Sequence, residues 1–455
     1  MGGSRGDGRE FRVLAPRPAE GAQRRGHLEP HLRLALPLAR AAGDRGRRSH
    51  PAIDAGGAGA DRRRHDRAAA PARARGGGMS APLRGGSALR ARLGAVVEAL
   101  DTVRDLLAAN PFREATPAWL ETAPGLAGEL LALDDATLDA LELDTDALTA
   151  RLARVDDRYA VLPALTRIGT WPQRPPAEPA AEPPHVPGRK WAQVRAFLGA
   201  LPPASDPAVD WCAGKGHLGR QLHLRGGGPV RCIERDAALC ADGEALARDL
   251  PLLFERCDVI ATPPTLQARE RIVALHACGH LHDALIDATV AAGARSLALA
   301  PCCYHLGGER GAPWQPAASG GPPAPLPDEL VRFAVRETVT APRHVRRRRR
   351  QERRFRLAFE ALRRELEPDR PAYRTLPSVP GSLLAAGFPA FCAHAAAHFG
   401  LALPAELDTT RWLDLGAEAD ARARRLELAR APFRRLLELR MVLDRALALA
   451  EAGYE

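Results

Sequence analysis

The sequence predicts an open α/β sheet with helical regions before and after it, and three observations carry that expectation. Five short apolar runs, "PAVDWCAG", "GPVRCIER", "LLFERCDVIA", "RIVALHACG" and "ARSLALAPCC", follow one another between residues 207 and 303. Helix-length stretches such as "HDALIDATVAAGA" lie between the later ones, and near-continuous apolar strands alternating with helices indicate a parallel sheet covered on both faces. On either side of this stretch, apolar residues recur three and four apart, the period of an amphipathic helix.

Length and charge narrow the class of protein. The chain has 455 residues, 45% hydrophobic and 26% charged, which is the make-up of a globular protein with room for two or three domains. No apolar run reaches the roughly 18 residues needed to cross a bilayer, and "MGGSRGDGREFRVL" lacks the apolar segment of a secretory signal, so a cytoplasmic protein is expected. The net charge of +10 suggests a nucleic-acid partner until it is divided along the chain. Residues 1–78 hold 17 Arg against eight acidic residues, whereas 79–455 hold 48 basic and 47 acidic ones. The basicity therefore belongs to the first segment.

That segment, 1–78, is rich in Arg, Ala and Gly and has no sustained period, so it is expected to be disordered. It is either a basic RNA-binding arm or an upstream extension without function, since Met79 follows it and helical periodicity begins soon after. Residues 79–170 form a helical N-terminal domain, in which "LRARLGAVVEALDTVRDLLA" and "LDTDALTARLARV" are helices and "DDATLDALEL" supplies Asp and Thr for helix starts. The prolines of 171–188 exclude helix and central strand and make this a linker. Residues 189–310 are the α/β core, opening with the short helix "WAQVRAFLGAL". Residues 311–455 are a helical region that begins with a Gly/Pro-rich loop. There Phe355, Phe359, Leu362 and Leu366 share a face, Arg346–Arg350 read as a solvated helix face, and "RRLELARAPFRRLLELRMVLDRALALAEAGYE" reads as one long amphipathic helix.

The stretch "AVDWCAGKGHLGR", residues 208–220, carries the first chemical signal. A phosphate loop is excluded because Lys215 is followed by Gly216 where a Ser or Thr hydroxyl would be needed for Mg²⁺. Gly214, Gly216 and Gly219 instead give the G-x-G-x-x-G spacing of a cofactor turn after a strand. Asp210 ends the strand ahead of these glycines, Glu234 closes the next strand where a ribose-binding carboxylate belongs, and Asp258 ends the one after. An acid ahead of the glycines suits a cofactor bearing a methionine ammonium better than a nicotinamide. The other readings are ordinary strand-end residues and an NAD-dependent dehydrogenase.

Taken together, "DWCAGKGHLGR", "IVALHACGHLHDALI" and "LALAPCCYH" resemble a class I methyltransferase family. It includes bacterial methyltransferase-domain proteins, the methyltransferase region of glutathione S-transferase C-terminal domain-containing protein, and tRNA 2′-O-methyltransferases with a CHHC zinc finger. The resemblance covers about residues 189–305 and implies a Rossmann-like class I methyltransferase sheet that binds S-adenosylmethionine. It also implies that Asp210, Ala213, Gly214 and Gly216 line the methionine and ribose part of the site, that Glu234 binds the ribose hydroxyls, and that Asp258 lies near the adenine. "LHACGH", with His276, would form the edge of the pocket. His280 stands where the family usually has an acidic residue, and the antiparallel strand pair that ends the family's fold has no counterpart after "LAEAGY". Either the sheet edge is unpaired or other segments cover it.

An oxygen acceptor needs a base, and "PCCYH" falls on the same carboxyl edge of the sheet as the cofactor turn. His305, Tyr304 and Cys303, with Cys302, are therefore the candidate catalytic residues, His305 first because its ordinary pKa of about 6.5 allows proton acceptance near neutrality. No metal is expected: the eight Cys include no C-x-x-C pair, and adjacent cysteines such as Cys302 and Cys303 fit tetrahedral coordination poorly. The predicted activity is methyl transfer from S-adenosylmethionine to RNA, tRNA included, or to a small molecule, without a membrane partner. The alternative is a non-catalytic methyltransferase-like scaffold that binds RNA or a protein.

Overall fold

The structure is a computed structural model that describes residues 10–13, 85–168, 188–306, 326–336 and 343–455. The rest of the expected 1–78 tail, the Pro-rich linker up to residue 187, and the loop at the start of the C-terminal region lie outside the described residues. Among the described residues, no helix is long and apolar enough to cross a membrane.

Six strands are present: β1 Glu10–Val13, β2 Ala208–Trp211, β3 Val230–Glu234, β4 Leu252–Arg256, β5 Arg271–Cys278 and β6 Ser296–Cys302. They make one all-parallel sheet in the order β1-β6-β5-β2-β3-β4. The five predicted strands, with helices on both faces, form the Rossmann-like α/β fold expected of the sequence. The chain runs outward from β2 through β3 to β4 and then returns to lay β5 on the other side of β2. The carboxyl ends of β2 and β5 thus flank the topological switch point, where open α/β sheets bind ligands.

Strand alternation decides which face each side chain supplies. Val209 and Trp211 of β2 join Ile233, Ile272, Ala274, Leu297 and Leu299 in a core covered by the helix His280–Ala292. Ala208 faces the other way, with Cys232, Val273 and Ala298, against Trp191, Val194 and Phe197 of the helix Gly188–Gly199 and Leu218 and Leu222 of the helix His217–Gly226. Both faces are apolar, which is why these strands read as continuous hydrophobic runs.

Glu10–Val13 form a strand where composition predicts disorder. They pair in parallel with β6, Glu10 opposite Ser296 through Val13 opposite Leu299. The outer edge of β6 presents backbone donors and acceptors that need partners, and β1 supplies them. The question of the uncovered edge is thereby answered by a segment from the start of the chain.

The helical segments form two cores. In the first, Leu89, Leu93 and Val96 of the helix Gly86–Asp101 pack with Leu138, Leu152 and Tyr159, and with Leu436, Met441 and Leu447 of the helix Arg434–Glu451. The N-terminal helices and the last helix therefore share one interior. Asp134 and Asp144 cap helices as expected, accepting the N–H groups of Thr137 (2.8 Å) and Ala147 (2.9 Å). In the second, Phe355, Phe359 and Leu362 of the helix Arg343–Leu366 meet Phe388, Phe391 and Trp412. Leu366, expected on the same face, lies at the helix end and is 37% exposed. Of the predicted solvated Arg face, Arg350 is paired with Asp139 at 2.8 Å. The single long helix expected at the C-terminus is instead two, Thr409–Glu427 and Arg434–Glu451, because Pro432 cannot donate within a helix interior.

After the last helix, Tyr454 enters the core of the sheet's helix-covered face, where it is 2% exposed. Its hydroxyl donates toward the carbonyls of Thr289 (3.1 Å) and Ala294 (2.9 Å), which end the helix that leads into β6. Tyr454→Ala is expected to cost about 3–5 kcal/mol, and Tyr454→Phe about 1 kcal/mol, in urea unfolding followed by circular dichroism. Equal stability of all three chains would show that this plug contributes nothing.

Candidate active site

The turn after β2 is built by backbone amides that converge on two strand-end carboxylates. Asp210 is buried at 2% exposure, and its Oδ2 accepts the Gly219 N–H at 2.8 Å. Glu234 Oε2 accepts the Gly214 N–H at 2.9 Å, while Oε1 accepts those of Arg235 (2.8 Å) and Asp236 (3.0 Å). Asp210 ties the strand end to the following helix, and Glu234 ties the turn to the end of β3.

The three glycines divide the work. Gly214, at φ +58°, has nothing within 4 Å of where a Cβ would stand, so it leaves an open cradle beside Glu234. Gly219 is needed for packing, because a Cβ there would meet Cys232 Sγ at 2.8 Å and Asp210 Oδ2 at 3.3 Å. Gly216, at φ +64°, packs closely: a Cβ on it would strike the Phe254 ring of the core at 2.6 Å. Ala213 is half-buried against the same core, and its N–H donates to the Ile233 carbonyl at 2.9 Å. Asp258 is set apart, its Oδ1 accepting the N–H groups of Ile260 (3.1 Å) and Ala261 (3.2 Å). Those amides hold its carboxyl below the usual carboxylate range.

The ends of β5 and β6 form the other wall. His276 is exposed, its Nε2–H donating to Gln193 Oε1 at 3.0 Å. His280 begins the next helix, and its Nδ1–H donates to the Leu306 carbonyl at 2.9 Å. Cys303 is half-buried, and its thiolate is stabilised first by the Cys278 and Cys302 thiols and then by the nearby His305 and His276, which holds it well below the usual thiol range. His305 is half-buried on the turn Tyr304–Leu306, with Nδ1 buried and without a hydrogen-bond partner among the described residues.

Of the candidate catalytic residues, Tyr304 lies in the interior. Its ring is buried in the helical core, edge-on to His282 at 5.3 Å and under the Arg445 guanidinium at 5.1 Å. Burial pushes its hydroxyl far above the ordinary value, so it neither reaches an acceptor nor ionises. The turn after β6 sends the side chain into the helical body, which residue type alone does not reveal. Arg445 also pairs with Asp283 at 2.8 Å, and His282, fully buried, is pushed down to about 3, first by desolvation and then by Arg445. None of Gln193, Cys278 or Arg445 is identifiable from sequence spacing, because each acts through a contact distant along the chain.

Residues 189–308, which contain this arrangement, match the family model of a methyltransferase domain. No curated protein and no solved structure matches the chain, and the finer likeness to glutathione S-transferase C-terminal domain-containing proteins and CHHC tRNA methyltransferases has no match behind it.

Burial pushes the Asp210 carboxyl up from its ordinary 3.8 to about 7, the Gly219 N–H only partly opposing it. The folded chain therefore holds this proton more tightly than the unfolded chain. The group's contribution to stability is fully present below about pH 4 and is lost as pH rises through about 7, with a ceiling of about 4 kcal/mol. Asp210→Asn is expected to flatten this slope when urea midpoints are measured from pH 5 to pH 8.5. A wild-type profile that matches the Asn variant would place the Asp210 pKa in the ordinary range.

Proposed function

We propose that this chain transfers a methyl group from S-adenosylmethionine to RNA, tRNA included, or to a small molecule. The observation that carries the proposal is the open cradle at Gly214, whose N–H is held by Glu234, in a turn whose following helix is tied to Asp210 at the switch point of the sheet. A Cβ-free position with a left-handed backbone lets a ligand approach the main chain closely, and carboxylates at the two strand ends suit a cofactor that carries an ammonium and ribose hydroxyls. When bound, S-adenosylmethionine supplies a sulfonium methyl group that an acceptor lone pair displaces in line.

The chain's own part is binding, orientation and proton handling. Asp210, once ionised, attracts the methionine ammonium. Glu234 accepts from the ribose hydroxyls, exchanging one of its three turn amides for them. Asp258 and His276 bound the adenine end and the rim. Positioning the acceptor at about 3–3.5 Å from the methyl carbon supplies much of the rate. His305, on the turn after β6, takes the proton from an oxygen acceptor.

A scaffold reading rests on His280, which occupies the place of an acidic residue. Its bond to the Leu306 carbonyl gives that histidine a structural task at the turn. Calorimetric titration of the full chain separates the two readings.

S-adenosylmethionine and S-adenosylhomocysteine are expected to bind with dissociation constants of about 1–100 μM. Gly214→Arg, Asp210→Ala and Glu234→Gln should each abolish or weaken binding by about tenfold or more while circular dichroism remains unchanged. Wild-type affinity should fall about tenfold per pH unit below about 7, as Asp210 gains its proton. A folded chain that binds neither ligand would overturn the proposal and leave the scaffold.

A further inference from the structure

The carboxyl ends of β5 and β6 collect a set of donors that methyl transfer does not require. Cys278 ends β5, Cys302 ends β6 and Cys303 follows it, and their three Sγ atoms lie within 4.8 Å of one another. The Cys278–Cys302 separation is 3.4 Å, and His276 Nδ1 lies 3.8 Å from Cys302 Sγ. All three thiols are half-buried, close enough to solvent for an ion to reach them.

Tetrahedral zinc binds thiolate sulfur at about 2.3 Å and imidazole nitrogen at about 2.0–2.1 Å, which sets S–S edges of about 3.8 Å and S–N edges of about 3.6 Å. The Cys278–Cys302 and Cys302–His276 distances of 3.4 and 3.8 Å fall within about 0.4 Å of those edges, and His276 stands beside the three-thiol cluster, meeting it at Cys302. The objection that adjacent cysteines cannot share a tetrahedron assumes the alternation of an extended strand. Cys303 breaks that alternation at φ +49°, and its thiol comes to the same cluster as that of Cys302. On β5 the register shifts between Leu275 and Cys278, and His276 stands at φ +70°. Two adjacent strands thus carry left-handed residues at the point where their donors converge.

The histidine is oriented for the task. Its Nε2–H donates to Gln193 Oε1, which fixes the tautomer whose Nδ1 carries a lone pair on the side of Cys302. A second residue that holds a histidine ligand in this way is a regular feature of metal sites.

We propose that Cys278, Cys302, Cys303 and His276 Nδ1 bind one soft divalent cation, zinc. Three thiolates and an imidazole are the donor set that such an ion prefers, and four protein ligands leave it no open position. Binding takes the three cysteines as thiolates, so the protons still held by the cluster leave to solvent, and no bond within the chain is broken. The ion clips β5 to β6 at the rim of the cofactor turn and fixes the turn that carries His305. It is a structural ion rather than a Lewis acid for the acceptor.

The test is cobalt titration of the full chain, purified under reducing conditions and stripped with a chelator. One equivalent is expected to produce thiolate-to-cobalt charge transfer in the near ultraviolet and the intense visible bands of tetrahedral cobalt, both removed by zinc. Cys278→Ser and Cys303→Ser should lose the charge transfer, and Cys392→Ser, in the other helical core, should keep it. Gln193→Ala, which leaves every ligand in place, should weaken zinc binding about 10–100-fold.

A folded chain with reduced thiols and no charge transfer overturns the proposal. So does a spectrum unchanged in Cys303→Ser, or a rate of thiol modification that zinc does not slow. The readout is independent of S-adenosylmethionine, so failure here leaves the methyl-transfer reading standing.

Discussion

The buried Asp210 carboxylate is the constraint on which the rest of the site depends. It sits at the end of a central strand with apolar faces above and below, where an unpartnered charge would be expelled. The Gly219 N–H gives it one strong partner, and that bond is possible only because Gly219 brings the helix within van der Waals contact of Cys232. Helix, strand and carboxylate are therefore specified together. The open space at Gly214 follows from the same turn, since Glu234 holds its N–H from the neighbouring strand.

Around this point the chain closes its sheet with material from both ends. β1 covers the outer edge of β6, and Tyr454 fills the face beneath the helix that precedes it. The helix Arg434–Glu451 belongs to the core of the N-terminal helices and also sends Arg445 to Asp283, at the start of the helix after β5. The carboxyl edge of the sheet is thus braced by segments far away in sequence. A change in the last helix should be felt at the turn that carries His305, through Arg445 and Tyr304.

What was legible in the sequence was whatever depends on local pattern. Apolar runs, the Gly-x-Gly-x-x-Gly spacing, Asp caps and the acidic strand ends all report period or residue type. They placed five strands, and the glycine turn with its two carboxylates is read from the same signals. β1 was illegible because a parallel edge strand of four residues is held by backbone hydrogen bonds, and the Arg-rich composition around it carries the opposite signal. The burial of Tyr304 was illegible because it is set by a turn that sends this one side chain into the helical core. Pro432 was visible, but a strong amphipathic period on either side of it masked the break.

The backbone itself singles out one edge of the sheet. Among the described residues, the three non-glycine residues with positive φ are Cys212, His276 and Cys303, at the carboxyl ends of β2, β5 and β6. Each such conformation costs about 1–3 kcal/mol and persists only where the surroundings over-determine it. No turn in the helical bodies carries one. Strain confined to three adjacent strand ends is not a general property of this fold's loops, and glycine at those positions would relieve it. The chain keeps side chains there instead, two thiols and an imidazole. At His276 and Cys303 the left-handed residues stand at the thiol cluster's edge and within it; at Cys212, whose thiol burial pushes up to about 12, the chain bends into the glycine turn. The same edge therefore combines a conformational cost with a concentration of ligating atoms, which is the arrangement expected where binding a ligand or an ion repays strain built into the free protein.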